Sequence, residues 1–256
     1  MGPMTVVVDL DGVVWRGDEP IPGSSEALDR LRASGRPVVF LTNNSAPTRA
    51  ANVAKLKSFG VDASPEEVRS SAQAAALLVE PGERALLCAG DGVREALEER
   101  GAVVVTEGDA DVVVVGWHDS FDFARLTAAM RAVLGGGRLV GTNEDATYPI
   151  PGGLLPGGGA LLAAVSYATG VEPVVAGKPH EPIVRLLREQ TDHVEMVIGD
   201  RPTTDGLLAR RLGVPYALVR SGIVAPGEAV EGASPDLDEA DLSAVVDRLI
   251  ADRTGV

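Results

Sequence analysis

Short apolar runs alternate with amphipathic stretches along almost the whole chain. Runs such as Val112–Val115 consist of consecutive β-branched residues, which is typical of strands covered on both faces in parallel sheets. The pattern predicts strands over 5–10, 37–42, 84–89, 102–106, 111–117, 138–142, 173–176, 194–198 and 215–219. It predicts helices over 23–34, 46–59, 65–79, 92–100, 121–134, 158–169, 180–190, 203–212 and 238–252. This alternation predicts an α/β fold with right-handed crossovers.

Nine strands are many for one sheet in a chain of 256 residues, so we expect two α/β units. Glycine and proline mark the breaks between elements. They predict loops at Gly135–Gly137 and Pro151–Gly159 and a short connector at Glu80–Glu83. The acidic, alanine-rich tail after Pro226 is predicted to form a surface loop and a terminal helix.

Composition narrows the choice of partner and compartment. The formal net charge of −14 argues against nucleic acid and anionic membranes as partners, because both need a basic surface. The single cysteine, Cys88, rules out an internal disulfide framework and is predicted to be a core thiol. No apolar run approaches the ~20 residues that span a bilayer, and a strand starting at Thr5 leaves no room for a signal peptide. We therefore expect a cytoplasmic protein.

Two acidic residues end the first predicted strand. Asp9 and Asp11 lie where a buried parallel strand delivers its residues to the ligand crevice of an α/β sheet. Two carboxylates at this spacing repel each other unless a cation or protons compensate. A hard divalent ion such as Mg²⁺ suits such oxygen ligands, although the same pair is often only a cap of the following turn.

Three other predicted strands end in polar residues. Thr42-Asn43-Asn44 follows one strand and precedes a helix, which is typical either of an anion cradle or of a simple helix cap. Lys178 lies between glycine and proline at a strand-to-helix turn, an unusual place for a surface lysine. Asp200 and Asp205 follow the strand over 194–198 and would add acidic ligands to a metal site.

Taken together, these four strand ends resemble the four motifs of the haloacid dehalogenase (HAD) superfamily. The segments Asp9–Trp15, Leu41–Ser45, Gly177–Pro179 and Gly199–Asp205, with Thr142–Pro149, are similar to the NagD-like, 4-nitrophenylphosphatase-like type IIA branch. The similarity extends over residues 5–223, with one departure at Pro202-Thr203, where the branch more often has Leu-Asp. The resemblance implies a Rossmann-like parallel-sheet core over 1–79 and 177–256, with the α/β cap domain of the type IIA branch inserted over 80–176.

The resemblance also implies an activity. A Mg²⁺-dependent phosphatase would use Asp9 as nucleophile, forming an aspartyl-phosphate, and Asp11 as general acid and base. Lys178 and Thr42, Asn43 and Asn44 would hold the phosphoryl oxygens. The metal would be held by Asp9, Asp11 (through its main-chain carbonyl) and Asp200, with Asp205 supporting this shell.

The predicted substrate is a small phosphorylated metabolite read by the cap. The candidates for reading it are Asn143, Asp145 and Tyr148, although Tyr148 or Asp145 could instead simply pack or cap within the cap domain. Tyr148 stands where pyridoxal-phosphate phosphatases of the branch carry histidine, which disfavours that substrate. Glycerol phosphate, phosphoglycolate, nucleotides and sugar phosphates remain open. Relatives often pair through their caps, so a homodimer is also an expectation.

Two rival interpretations are open to test, and a third is excluded by the sequence. A phosphotransferase or mutase would pass the phosphoryl group from Asp9 to an alcohol instead of water. A phosphate-sensing module would bind phosphate without turnover. A dinucleotide-binding protein, suggested by Gly90-Asp91-Gly92, is rejected because Glu95 stands in place of the third glycine of that fingerprint.

Overall fold

The computed structural model describes residues 4–150 and 153–254. The chain forms two compact units. The first unit runs up to Thr42 and includes Asn52–Arg69 and the chain from Leu187 onward. The second unit consists of Asn43–Ala51 and Ser70–Leu186. The predicted division into a catalytic core (1–79 and 177–256) and a cap (80–176) concerns the roles of these segments, and it stays a prediction.

Strands and helices alternate as the pattern indicates. The strands are β1 (Thr5–Asp9), β2 (Trp15–Arg16), β3 (Glu19–Pro20), β4 (Val38–Thr42), β5 (Val68–Ser70), β6 (Arg84–Cys88), β7 (Val103–Val105), β8 (Val112–Val115), β9 (Arg138–Gly141), β10 (Thr147–Ile150), β11 (Gly153–Pro156), β12 (Val174–Val175), β13 (Val194–Gly199), β14 (Tyr216–Val219) and β15 (Leu237–Glu239). The helices are α1 (Ser24–Ala33), α2 (Arg49–Ser58), α3 (Ser71–Ala76), α4 (Asp91–Glu99), α5 (Phe123–Leu134), α6 (Gly158–Thr169), α7 (Glu181–Gln190), α8 (Leu207–Leu212) and α9 (Leu242–Thr254).

The first unit is built on a six-stranded sheet in the order β15-β14-β13-β1-β4-β5. The strand β1 lies between β13 and β4 and pairs with both in parallel. All five residues of β1 are buried, as expected of a central strand with both faces covered. The carboxyl ends of β1, β4 and β13 therefore reach the same edge of the sheet, where open α/β sheets bind ligands.

The second unit has its own parallel sheet, in the order β12-β9-β8-β6-β7. Its central strand β8 consists of four valines, and all four are buried. An antiparallel hairpin of β10 and β11 accompanies this sheet, with Tyr148 opposite Leu155. The predicted strands, which were too many for one sheet, are thus divided between two sheets.

All nine predicted strands are present, but three other predictions need correction. The helix predicted over 65–79 is interrupted, because main-chain N–H groups of Ser64 and Ser70 each donate to a side chain three residues on and so begin two separate turns, with β5 between them. Residues 153–156 form β11 where a loop was expected, and residues 151 and 152 of that expected loop lie outside the described residues. The tail contributes β15, which pairs in parallel with β14 and is too short and charged to show a strand pattern.

Among the described residues, no helix combines the length and the apolar character that crossing a bilayer requires.

Candidate active site

Three aspartates of the first unit come together at the carboxyl edge of its sheet. Asp9 is the last residue of β1, and Asp200 directly follows the neighbouring strand β13. Asp9, Asp200 and Asp205 each offer a carboxylate oxygen, and these oxygens lie within 4.8 Å of one another. All three residues are buried, with exposures of 8%, 7% and 0% respectively. Buried carboxylates this close repel one another strongly, so the arrangement fits a divalent cation with oxygen ligands.

Two glycines leave room for the carboxylate of Asp200. A Cβ atom would come within 2.2 Å of Asp200 Oδ2 at Gly12 and within 2.0 Å of it at Gly222. Gly12 also has a φ of +83°, a conformation that other residues rarely adopt. The same carboxylate accepts a hydrogen bond of 2.8 Å from the main-chain N–H of Ile223. Asp200 is therefore fixed by close main-chain neighbours.

Asp205 lies on an irregular turn at the start of the following helix. Pro202–Gly206 form a single π-helical turn before α8, an irregularity often found at functional sites. The Asp205 carboxylate accepts from the main-chain N–H of Arg201 at 3.1 Å. A Cβ at Gly199 would clash with this carboxylate, since it would lie 2.3 Å from Oδ2. The departure from the family pattern at Pro202-Thr203 thus leaves both acids at the cluster.

Asp11 has a different environment from the cluster. The indole N–H of Trp15 donates to Asp11 Oδ1 at 2.9 Å, and the hydroxyl of Thr42 lies 3.4 Å from Oδ2 at the end of β4. Its carboxylate is not among the three grouped oxygens. The two acids of the first motif therefore differ in surroundings, as two different chemical roles would require.

Tyr216 underlies the acidic cluster and was not identified from the sequence. Its hydroxyl donates to the main-chain carbonyl of Gly199 at 3.3 Å, and the residue is 1% exposed. Burial, followed by the negative charges of Asp205, Asp200 and Asp9, raises the pKa of Tyr216 well above its usual range. The phenol therefore stays a neutral donor. The sequence predicts that Tyr216 lies in the buried strand β14, but it gives no sign of the hydrogen bond to Gly199.

The predicted site residues of the second unit form a hydrogen-bonded group. Lys178 is 3% exposed, and its main-chain N–H donates to Asn43 Oδ1 at 2.8 Å. Asn43 Nδ2 donates to the Lys178 carbonyl and to Asp145 Oδ2, both at 3.2 Å. The amide of Asn143 donates to the main-chain carbonyl of Asn43 at 2.8 Å. The structure therefore joins residues that lie far apart in the sequence.

Asn44 and Tyr148, two further predicted site residues, contact residues that lie close to them in their own part of the fold. Asn44 Oδ1 accepts from the main-chain N–H of Ala46 at 3.2 Å, which is the geometry of a turn before α2. Tyr148, half-buried on β10, lies beside Trp117 with ring centroids 5.8 Å apart. The indole N–H of Trp117 donates to the carbonyl of Pro156 at 3.0 Å. This bond links β11 to the segment that follows β8. Trp117 is thus a neighbour of Tyr148.

His118 and Cys88 form a buried pair in the second unit. His118 is buried, and its Nε2 lies 3.9 Å from the sulfur of Cys88. Burial and the charge of Arg125 lower the pKa of His118, and burial raises the pKa of the Cys88 thiol to about 11. A neutral imidazole beside a protonated thiol is not an activated nucleophile. The prediction of a core thiol is therefore confirmed.

Comparison with known proteins identifies the family. The model for haloacid dehalogenase-like hydrolases matches residues 6–103, and a model for HAD-hydrolase-like proteins matches residues 175–249. The acid sugar phosphatase of Staphylococcus aureus is 35% identical over 225 residues, which is 85% of this chain and 86% of that protein. The chain belongs to the haloacid dehalogenase-like hydrolase family.

Solved structures of relatives agree with this assignment. The p-nitrophenyl phosphatase of Archaeoglobus fulgidus matches with a TM-score of 0.87 and 28% identity, covering 96% of this chain and 99% of that one. The glycerol phosphate phosphatase of Mycobacterium tuberculosis in complex with magnesium matches with a TM-score of 0.85 and 31% identity, covering 94% of this chain and 75% of that one. The latter enzyme has also been solved in complex with calcium. The predicted family, fold class and enzyme class, a phosphatase of the HAD type, are confirmed.

Proposed function

We propose that the protein is a Mg²⁺-dependent phosphatase that hydrolyses a small phosphate monoester through an aspartyl-phosphate on Asp9. The observation that carries the proposal is the buried group of Asp9, Asp200 and Asp205 at the carboxyl edge of a parallel sheet. Membership of a family whose relatives are named as phosphatases supports it. The magnesium and calcium complexes of one relative support a divalent ion at a site of this kind.

The three carboxylates suit a hard divalent cation. Oxygen atoms are the ligands that Mg²⁺ prefers, and three negative charges in a buried place need compensation. Asp9 and Asp200 would hold the ion with the main-chain carbonyl of Asp11, and Asp205 would support them. When bound, Mg²⁺ would supply positive charge that stabilises the equatorial oxygens of the phosphoryl group.

The chain's own groups account for each covalent change. A carboxylate oxygen of Asp9 attacks phosphorus, and the bond to the ester oxygen breaks. Asp11 gives its proton to that leaving oxygen, so an alcohol departs. Asp11 then takes a proton from water, whose oxygen attacks the acyl phosphate and releases inorganic phosphate, restoring Asp9. Thr42, Asn43, Asn44 and the ammonium group of Lys178 are proposed to hold the phosphoryl oxygens.

The proposed substrate is a small phosphorylated metabolite such as a sugar phosphate or glycerol phosphate. These are the compounds after which the relatives from S. aureus and M. tuberculosis are named. Residues 1–79 and 177–256 would be the catalytic core and residues 80–176 the cap. Within that cap, Asn143 and Tyr148 would read the substrate. Cytoplasmic location and pairing through the cap stay predictions.

The test is phosphate release from a panel of phosphomonoesters, with Mg²⁺ and with a chelator. We expect Mg²⁺-dependent release by the wild type, none by Asp9→Asn, and a covalent phosphate on the peptide that contains Asp9. Appreciable Mg²⁺-dependent turnover by Asp9→Asn would refute the nucleophile. Release that requires an added alcohol acceptor would instead identify a phosphotransferase. Tight phosphate binding without turnover would identify a sensing module.

A further inference from the structure

The side chain of Asn43 is bonded to the main chain of Lys178 at two points. Its Oδ1 accepts from the Lys178 N–H at 2.8 Å, and its Nδ2 donates to the Lys178 carbonyl at 3.2 Å. A primary amide has two N–H donors, and the second contact of Nδ2 is with Asp145 Oδ2 at 3.2 Å. Because a carboxylate can only accept, Asp145 favours the orientation in which the oxygen of the amide faces the Lys178 N–H.

Asp145 is itself held in a fixed position relative to Asn43 by the side chain of Asn143. Its main-chain N–H donates to Asn143 Oδ1 at 3.2 Å, and Asn143 Nδ2 donates to the main-chain carbonyl of Asn43 at 2.8 Å. The hydroxyl of Ser71 donates to the same carbonyl at 2.7 Å. Asn143 and Ser71 are buried, so these bonds are partly shielded from water. The result is a closed set of bonds in which both ends of Asn43 are fixed.

The main chain next to Lys178 is built to accept this close approach. At Gly177 a Cβ atom would lie 2.6 Å from Asn43 Oδ1 and 2.5 Å from the carbonyl of Thr142. Only glycine leaves that space. Since Lys178 is 3% exposed, a small displacement of its main chain would move the ammonium group within a buried environment.

We propose that Asp145 is a positioning residue that acts through Asn43 on Lys178. Its carboxylate orients the amide of Asn43, and the amide holds the main chain from which the Lys178 ammonium group extends. This inference rests on the proposed function, in which Lys178 holds the phosphoryl oxygens. It differs from the sequence prediction that Asp145 reads the substrate, because the leaving group of the ester has no part in it.

The kinetic test compares Asn43→Ala, Asp145→Ala, Asp145→Asn and the double Ala variant on 4-nitrophenyl phosphate and glycerol phosphate. We expect Asp145→Ala to lower kcat/KM by about 10- to 100-fold, by the same factor for both esters. The double variant should be no worse than Asn43→Ala alone, because both changes remove the same relay. Asp145→Asn should restore most of the activity, since its amide oxygen can accept the bond from Asn43. The exposed Asp119→Ala is the matched control and should leave kcat/KM unchanged.

Two kinetic outcomes would overturn the proposal. A loss that differs between the two esters would mean that Asp145 contacts the leaving group. Losses that multiply in the double variant would mean that Asp145 and Asn43 act separately. Thermal unfolding of each variant separates these outcomes from misfolding, and Asp145→Asn provides a conservative change if Asp145→Ala does not fold.

A second measurement does not depend on activity. Hydrogen exchange at the Lys178 amide should be faster in Asp145→Ala and Asn43→Ala than in the wild type, and unchanged in Asp119→Ala. If the wild type releases no phosphate, the proposed function fails, but the exchange result still tests the relay. Unchanged exchange at Lys178 in Asp145→Ala would overturn it.

Discussion

The indole N–H of Trp15 donates a hydrogen bond to Asp11, with 2.9 Å between Nε1 and Oδ1. Trp15 is 2% exposed, so this bond is made at the edge of the core. The ammonium group of Lys55 lies 4.6 Å from the centroid of the Trp15 ring, and the ring of Phe59 packs at 6.0 Å. The donor is thus held in place by two neighbouring side chains, and the loop after β1 presents Asp11 in a defined orientation.

Trp15→Phe should therefore lower the rate of the chemical step more than it weakens substrate binding. Phenylalanine keeps most of the ring but cannot donate, and leaving a partly buried acceptor without its donor typically costs about 1–3 kcal/mol. We expect kcat to fall about 10- to 100-fold with little change in KM, as measured on 4-nitrophenyl phosphate. Phe59→Leu is the control, since it loosens the ring contact and leaves the N–H in place. An equal loss of kcat in both variants would contradict a role for the hydrogen bond.

Gly222→Ala should weaken the metal site without removing any ligand. Its Cβ would lie 2.0 Å from Asp200 Oδ2, so the carboxylate would have to leave its present position in the group with Asp9 and Asp205. Changes to groups that orient a ligand typically cost 10- to 100-fold in metal affinity. We expect a loss of about this size in a calorimetric titration with Mg²⁺.

The control for this prediction is Gly153→Ala. Among the residues that the structure describes, none lies within 4 Å of a Cβ at Gly153, and the φ of Gly153 is outside the left-handed range. The affinity of Gly153→Ala for Mg²⁺ should equal that of the wild type. If Gly222→Ala also binds Mg²⁺ as tightly as the wild type, Asp200 is not held in the proposed way.

The parts of the fold that follow from local pattern were predictable. Nearly continuous apolar runs such as 112–115 predicted the buried strands, and the polar residues at their carboxyl ends predicted the acidic cluster. This worked because the carboxyl ends of neighbouring parallel strands meet at one edge whatever the details of the loops.

The parts that depend on long-range contact were not predictable. The strand β15 is three residues long and exists because it pairs with β14, so its sequence alone carries no signal. The contact of Tyr216 with Gly199 and the bonds between Asn43 and Asp145 join residues that only the fold brings together. The interruption at Ser70 was readable in principle, because a serine followed three residues later by glutamine is a helix start.

The Cys88 thiol should make stability fall at high pH. Burial raises its pKa from the ordinary value of 9.0 to about 11. Above about pH 9 the unfolded chain releases this proton and the folded chain keeps it, so the free energy of unfolding should fall by about 1.4 kcal/mol per pH unit up to about pH 11. Below pH 9 both states are protonated, and this contribution is constant.

Cys88→Ala provides the comparison for that prediction. The cavity it leaves should lower stability by an amount that does not depend on pH, whereas the fall above pH 9 should be smaller than in the wild type. Urea unfolding at about pH 8 and about pH 10 measures both quantities. An identical change between the two pH values in wild type and variant would show that the thiol does not titrate in this way.

The ion pair between the buried Arg36 and the partly exposed Glu195 should contribute more to stability than an ion pair at the surface. Arg36 is buried and donates to both carboxylate oxygens of Glu195, at 2.9 and 3.1 Å, and to the carbonyl of Leu249 at 3.1 Å. Glu195→Ala would leave the guanidinium without its carboxylate, and since Glu195 is partly exposed we expect a loss of about 2–4 kcal/mol in the free energy of unfolding. The exposed pair of Arg30 and Asp247, 3.2 Å apart, is the matched control.

Urea unfolding of the two variants decides between burial and charge pairing as the source of this stability. Asp247→Ala should change the free energy of unfolding by less than about 1 kcal/mol, because water and salt screen an exposed pair. The double variant Arg36→Met with Glu195→Leu should recover much of the loss caused by Glu195→Ala, since it removes the unpaired buried charge. Similar losses for Glu195→Ala and Asp247→Ala would show that burial of Arg36 does not strengthen its pairing, whereas failure of the double variant to recover stability would assign the loss to the other bonds of the guanidinium.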